Sequence, residues 1–169
     1  MHRLATALAA GGVDDVVVVG RPGDAALQAE IESLPVPVRY IANPDADAGQ
    51  LSSLLAGLGA VDRPGVTAIL VTPVDAPLIE PATVAALLAS WRSGGAPIVR
   101  ATYRGRHGHP VIFARMVFED LRHADPSLGA RAVVRAYGDR VVDLDVNDPG
   151  VLGDVDTPED YRALGGPEL

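Results

Sequence analysis

Ala68-Ile69-Leu70-Val71-Thr72-Pro73-Val74-Asp75-Ala76-Pro77-Leu78-Ile79 decides the fold. Ala68 to Val71 is apolar without interruption, as expected of a central parallel strand covered on both faces, and Pro73 and Pro77 forbid its continuation. Asp75 is therefore left at the carboxyl end of a buried strand. In open α/β sheets ligands bind there, because the loops at the strand ends surround a crevice that the covered faces cannot offer. A carboxylate in that place can hold a metal, or it can bond the amides of its own turn as Asp often does beside proline. Position alone leaves both readings open.

Working outward, helices and strands alternate. Arg3 to Ala10 carries Leu4 and Leu8 four apart amid alanine and closes at Gly11-Gly12, which predicts a helix; Val13 to Val19 predicts a strand. Asp24 can cap a helix over Ala25 to Leu34, and Val36 to Ala42 follows as a strand. After the loop Asn43 to Gly49, the segment Gln50 to Ala60 is a helix with Leu51, Leu54, Leu55 and Leu58 in one apolar stripe. Glu80-Pro81 opens a helix with proline in its first turn, carrying Val84, Leu87, Leu88 and Trp91 inward. Strands separated by such helices indicate right-handed βαβ units and a parallel sheet. Further on, Pro97 to Thr102 and Pro110 to Ala114 predict strands around the polar segment Tyr103 to His109. Helices near Val117 to Arg122 and Gly129 to Tyr137 and a strand over Arg140 to Val146 follow. The tail predicts a helix start, with Thr157 at the cap, Pro158 at the first position and Asp160 three residues after the cap. No linker or repeat divides the chain, so residues 1–169 read as a single domain.

Composition narrows the function. Hydrophobic residues make up 48% of the chain with only 4 Tyr, 2 Phe and 1 Trp, so the core is aliphatic, which favours α/β architecture. The net charge of −8 repels nucleic-acid backbones, which argues against a nucleic-acid partner. A polyanionic ligand then needs a local cation or metal. All 14 basic residues are arginine and lysine is absent. Without cysteine there is neither a disulfide nor a thiolate zinc site. No run approaches the roughly 20 apolar residues of a membrane span. Met1 to Ala10 faintly resembles a signal peptide, but its apolar stretch is short and leads directly into a strand the sheet needs. We read it as a packed helix and expect a cytoplasmic protein.

Three constellations carry chemistry. They are Asp75; the pair Asp154 and Asp156; and Asn43 with Gly49 and Ser52-Ser53. If the last strand lies near the central one, Asp75 and a tail aspartate face each other and can coordinate one Mg²⁺ through oxygen ligands. Taken alone, Asp154 and Asp156 are better explained by helix capping and dipole complementarity; the pairing with Asp75 is what favours a metal. The segment Arg104 to Pro110 has the flexibility and charge to hold an anionic or pterin-like substrate, its arginines forking to phosphate; the alternative is a solvated hairpin-like connection. His107 and His109, two apart without a third ligand nearby, read as substrate contacts rather than a metal site. No Gly-x-Ser-x-Gly elbow supports nucleophilic hydrolysis.

Taken in order, Asn43-Pro44 with Gly49 through Gly57, Val74 to Leu78, Gly108-His109-Pro110-Val111-Ile112-Phe113, Gly129-Ala130-Arg131 and Asp154-Val155-Asp156-Thr157-Pro158-Glu159-Asp160 resemble the MobA-like nucleotidyltransferases. The molybdenum cofactor cytidylyltransferase branch is the nearest in pattern. The resemblance implies a Rossmann-like three-layer α/β sandwich with a mostly parallel sheet, of the nucleotide-diphospho-sugar transferase type. It implies coupling of a nucleoside triphosphate, CTP foremost, to a phosphorylated small-molecule acceptor such as molybdopterin, with release of pyrophosphate and dependence on Mg²⁺. Asp75 would be a metal ligand and catalytic residue, with Asp154 or Asp156 the second acid and Asp156 paired with Asp75 in catalysis. Asn43, Gly49, Ser52, Ser53 and Pro77 would contact the nucleotide, and Arg106, Gly108, His109 and Pro110 would form the acceptor loop. A molybdoenzyme or maturation protein would be the protein partner, and no membrane is implied.

Two departures stand out. Ala76 occupies a position that is usually polar in the family. More seriously, the family begins with a strand and a glycine-rich loop, containing an arginine and ending at a lysine, which cradle the triphosphate. Here Leu4 to Ala10 resembles the helix that follows that loop, so the chain reads as N-terminally shortened by about two dozen residues, one strand plus a loop. A chain lacking this loop has an alternative role: non-catalytic binding of a cofactor precursor or partner protein during enzyme maturation.

Overall fold

Ala68 to Val71 forms a strand where the sequence predicts one, but not the central parallel strand expected: it ends a four-stranded sheet and, among the described residues, pairs only with an antiparallel neighbour. In the computed structural model, which describes residues 1–153, the order is α1 (His2–Ala10), β1 (Val16–Gly20), α2 (Ala25–Glu32), β2 (Val38–Ala42), α3 (Gln50–Val61), β3 (Ala68–Val71), α4 (Pro81–Gly94), β4 (Ile98–Tyr103), β5 (Arg106–Ala114), α5 (Phe118–Arg122), α6 (Ala130–Tyr137) and β6 (Val141–Asp145). Local chemistry sets the boundaries. Asp24 accepts from the Leu27 amide at 2.9 Å to cap α2, Pro81 opens α4, and Gly95, at φ 61°, closes it in the left-handed conformation. Val13 is not part of β1 as expected, because its amide donates to the Leu8 carbonyl and prolongs the end of α1. The predicted helix start at Thr157 lies outside the described residues. No helix among the described residues is long and apolar enough to cross a membrane.

The strands form two sheets rather than the single sheet expected. One has two parallel strands, β1 and β2, in register from Val16 opposite Val38 to Gly20 opposite Ala42. The other has four strands in the order β3-β5-β4-β6. Within it β4 and β6 are parallel, and β5 runs antiparallel to both β3 and β4. Strands β3, β4 and β6 thus share one direction, and β5 is the exception to a mostly parallel arrangement. The cause is the two-residue turn between β4 and β5, which can only join antiparallel neighbours.

Helices cover both faces. On one, Leu54, Leu55 and Leu58 of α3, Phe118 and Leu121 of α5 and Val133 and Tyr137 of α6 pack on Ile69, Ile98, Val111 and Phe113. On the other, Leu87, Leu88 and Trp91 of α4 lie over Val99, Ala101 and Ile112. The result is a three-layer α/β sandwich with an aliphatic core, as the composition implied.

A seam runs between the two sheets. Among the described residues no ladder joins β1 to β3, yet both layers of helices bridge them. Leu4 and Leu8 of α1 pack in one cluster with Val16 of β1 and Leu70 of β3. On the opposite face α3 packs its leucines on Ile69 and Val71, while its Gly57 lies against Val19 of β1. Each of β1 and β3 therefore keeps one edge without a strand partner beneath a shared roof. The burial of β3 agrees: its four residues are all only half-buried, whereas Ile98, Val99, Ala101 and Ile112 in the interior strands are fully buried.

Candidate functional site

Asp75 stands in an exposed turn just beyond the carboxyl end of β3. The residues around it are anchored inward: Ala76 and Ile79 are 1% and 3% exposed and join the cluster of α1 and α4. Val74 and Leu78 are instead exposed to solvent.

The turn is clasped to the segment that follows β6. Asp148 is 3% exposed and uses both carboxylate oxygens. Its Oδ2 accepts from the Glu80 amide at 2.9 Å and the Thr83 hydroxyl at 2.7 Å, and its Oδ1 accepts from the Gly150 amide at 2.8 Å. The 3₁₀ turn Pro149–Leu152 is thereby fixed to the N-terminus of α4. Two glycines permit the approach. A Cβ on Gly150 would stand 2.3 Å from the Leu78 carbonyl oxygen, and one on Gly108 would stand 2.2 Å from that of Val151. The last described residue, Gly153, lies beside Leu78, with 3.8 Å between its ideal Cβ position and Leu78 Cδ1. Leu78 of the turn and Gly108 of β5 thus both lie against the Pro149–Leu152 segment and its end at Gly153; Asp154 and Asp156 lie outside the described residues. Sequence reasoning missed Asp148, Thr83 and Gly150. The local signal in Asn147-Asp148-Pro149-Gly150 is only that of a turn.

A second group gathers at the end of β2. The Asn43 amide donates to the Gly20 carbonyl at 2.8 Å, extending the β1–β2 ladder. Its side chain, 2% exposed, donates to Ser52 Oγ at 2.9 Å and Ser53 Oγ at 3.1 Å and accepts from the Asp45 amide at 3.0 Å. Ser52 Oγ lies 2.8 Å from the carbonyls of both Asp45 and Gly49. Gly49, at φ 97°, turns the chain into α3 where a side chain would be strained. Asn43, Gly49, Ser52 and Ser53 therefore do come together, as a clamp that shapes the loop before α3. A cavity of about 220 Å³ adjoins it, lined by Asp45, Ala48, Leu51, Ser52, Leu55 and Pro126. A larger one of about 490 Å³, between α5 and α6, contains none of the sequence-predicted site residues.

The segment Arg104 to Pro110 is not the flexible loop expected. Arg104 and Gly105, at φ 51° and 74°, form a tight turn of primed type, and β5 begins at Arg106. Gly108, His109 and Pro110 lie where the β4–β5 register shifts, between Arg100 opposite Val111 and Thr102 opposite His107. Such a bulge re-aims side chains at the end of a sheet. His107 Nε2 lies 3.3 Å from Asp143 Oδ2 and so faces β6. Arg100 grips the same carboxylate through Nε at 2.8 Å and Nη2 at 3.0 Å, and this holds the Asp143 carboxyl below the usual carboxylate range. Arg106 remains exposed at the start of β5.

Among the described residues no group of three or more His, Cys, Asp or Glu side chains could enclose a metal. The donor at hand is the single exposed carboxylate of Asp75. That suits a hard cation of the Mg²⁺ kind, which keeps several waters and takes one or two carboxylates plus substrate phosphates.

An α/β sandwich with polar constellations at its strand ends is an arrangement that ligand-binding α/β domains share. Residues 1–141 match the family model of the MobA-like NTP transferase domain, and the chain belongs to that family. Rv0371c from Mycobacterium tuberculosis H37Rv, solved in complex with manganese, is 25% identical, with a TM-score of 0.75 over 96% of this chain and 83% of that one. CMP:2-keto-3-deoxy-manno-octonic acid synthetase complexed with CTP is 18% identical, with a TM-score of 0.73 over 97% and 86%. Molybdopterin-guanine dinucleotide biosynthesis protein A from Archaeoglobus fulgidus is 18% identical, with a TM-score of 0.58 over 87% and 75%. No curated protein matches the chain.

Proposed function

We propose that the protein transfers a nucleotidyl group from a nucleoside triphosphate, CTP foremost, to a phosphorylated small-molecule acceptor such as molybdopterin, in the cytoplasm. The observation that carries this reading is the Asp75 turn, exposed at the carboxyl end of β3 with Gly153 fastened beside it. An acceptor phosphate oxygen attacks the α-phosphorus. A new P–O bond forms as the bond from the α-phosphorus to the bridging oxygen breaks, and pyrophosphate leaves with the electron pair. Asp75, with Asp156 or Asp154 from the tail, would hold Mg²⁺, which supplies neutralisation of the phosphate charge. The Asn43 clamp, with Gly49, Ser52, Ser53 and Pro77, shapes the nucleotide side of the site. Arg106, beside the bulge of Gly108, His109 and Pro110, orients the acceptor phosphate. Manganese in Rv0371c and CTP in the synthetase support a divalent cation and a pyrimidine nucleotide.

The seam favours a second reading. Among the described residues β1 and β3 face each other without a ladder between them. In that reading the domain binds a cofactor precursor or a maturation partner without turnover. One experiment separates the readings: pyrophosphate release and CTP binding are measured with Mg²⁺ or Mn²⁺, for wild type and Asp75→Asn. Turnover that Asp75→Asn abolishes supports the enzyme. No pyrophosphate release with either metal supports the second reading, and a rate untouched by Asp75→Asn refutes the role of Asp75.

A further inference from the structure

We propose that Arg104 supplies a second guanidinium beside that of Arg106, so that the β4–β5 turn grips the terminal phosphate of a monoester; this rests on the reading above, in which Arg106 meets the acceptor phosphate. The turn projects from the end of the sheet where that reading puts the site. β3 pairs with β5 only from Val111 to Ala114, so Arg106 to Pro110 run on past Val71 with β4 alongside. Tyr103 stands directly opposite Arg106 in the hairpin, which sets their side chains on one face with Cβ atoms roughly 4.5–5.5 Å apart. Tyr103 packs toward the α4 side, against the cluster of Val99, Ala101 and Ile112, whereas the next residue, His107, faces Asp143 on the other side. The Arg104 guanidinium lies over the Tyr103 ring, with Cζ 5.1 Å from the ring centroid. Two cations therefore flank one aromatic ring. Both arginines are exposed, and among the described residues neither meets a carboxylate, whereas Arg21, Arg39, Arg63, Arg100, Arg115 and Arg122 all do.

The backbone shows that the turn itself does not call for arginine. Arg104 sits at φ 51°, and among the described residues it alone combines a positive φ with a side chain. A two-residue turn of primed type favours Asn at that position, and a residue held there in spite of strain points to a role outside the fold. A second positive charge two residues on adds repulsion that a ligand of opposite sign would relieve. The dianion of a phosphate monoester suits two guanidinium forks better than the single charge of a diester. Its three terminal oxygens also leave one to attack the α-phosphorus while the arginines hold the others.

The test titrates phenyl phosphate, without metal, against isotope-labelled protein and follows backbone and arginine side-chain resonances by NMR. Saturable shifts are expected at Tyr103, Arg104, Gly105 and Arg106, with weaker binding of the diester methyl phenyl phosphate. Arg104→Asn, which suits the turn, is expected to weaken phenyl phosphate binding about three- to tenfold and at the same time to raise Tm by about 2–4 °C as the strain is relieved. Arg106→Gln should weaken binding to a similar degree. Arg135→Gln, at an exposed position of α6, removes the same charge elsewhere and should leave the affinity unchanged. The proposal is overturned by unchanged affinity in Arg104→Asn, by an equal loss in Arg135→Gln, by equal binding of the diester, or by a lower Tm in Arg104→Asn, which would make the arginine a structural part of the turn. Saturating CTP separates the two sources of phosphate. Phenyl phosphate that still binds supports the acceptor, and phenyl phosphate that CTP displaces gives the arginines to the triphosphate and overturns the assignment. Pyrophosphate release is scored separately, so a chain that binds phenyl phosphate through both arginines without turnover refutes nucleotidyl transfer and keeps the phosphate site.

Discussion

Gly108→Ala puts the geometry behind the site to a quantitative test. The added Cβ would stand 2.2 Å from the Val151 carbonyl oxygen, 2.8 Å from its carbon and 3.1 Å from Leu152 Cδ2. The nearest atoms are backbone, so no rotamer change relieves the clash. Reaching ordinary contact at 3.4 Å from 2.2 Å requires the 3₁₀ turn and β5 to separate by 3.4 − 2.2, or about 1.2 Å. Overpacking of this kind costs about 1–3 kcal/mol, and in a domain of this size each kcal/mol lowers Tm by about 2–4 °C. Gly59→Ala provides the contrast. It lies within α3 with nothing within 4 Å of its ideal Cβ, so the same methyl should stabilise by about 0.5–1 kcal/mol through helix propensity. Urea unfolding of both variants gives the two signs, and Mn²⁺ titration shows whether the displaced turn weakens metal binding in Gly108→Ala alone. Wild-type stability in Gly108→Ala, or a matching loss in Gly59→Ala, would refute the close approach.

Asn43→Ala removes the centre of the loop clamp and leaves buried partners unsatisfied, so it should destabilise by about 1–3 kcal/mol in urea unfolding and weaken CTP binding. Arg39 bonds Asp15 through Nε at 3.1 Å and Nη2 at 2.7 Å, and that bond is the main reason the Asp15 carboxyl sits below its ordinary value. A lowered folded pKa contributes stability that is present above the unfolded value of about 3.9 and is lost as pH falls through the folded one. Arg39→Ala removes this contribution, so the gap in stability between wild type and variant should narrow as pH drops below about 4, as followed by acid unfolding.

Much of the architecture could be read locally. β3 was delimited from its apolar run and prolines alone, and α3 from its leucine stripe, because burial on a covered strand or one helix face dictates residue type at each position. The direction of β5 could not be read, since it depends on a turn in which Arg104 adopts a positive φ that arginine does not announce. The polar composition of Tyr103 to His109 suggested a loop, whereas its residues pair across the sheet and toward Asp143. Within the site, Asn43, Gly49 and the two serines were found because they lie close together in the chain. Asp148 and Thr83 were not, because their bond spans 65 residues and neither residue type singles itself out.

The seam leaves the two parts of the candidate site joined by side-chain packing alone among the described residues. Asn43 rides on the sheet of β1 and β2 and Asp75 on the sheet of β3, and side-chain packing under α1 and α3, rather than a backbone ladder, sets the distance between them. Packed side chains slide where hydrogen-bonded strands do not. A strand entering the seam would lock that distance, and a ligand spanning both parts would lock it too. Occupancy of the seam and occupancy of the site are then thermodynamically linked, each tightening the other by the same factor.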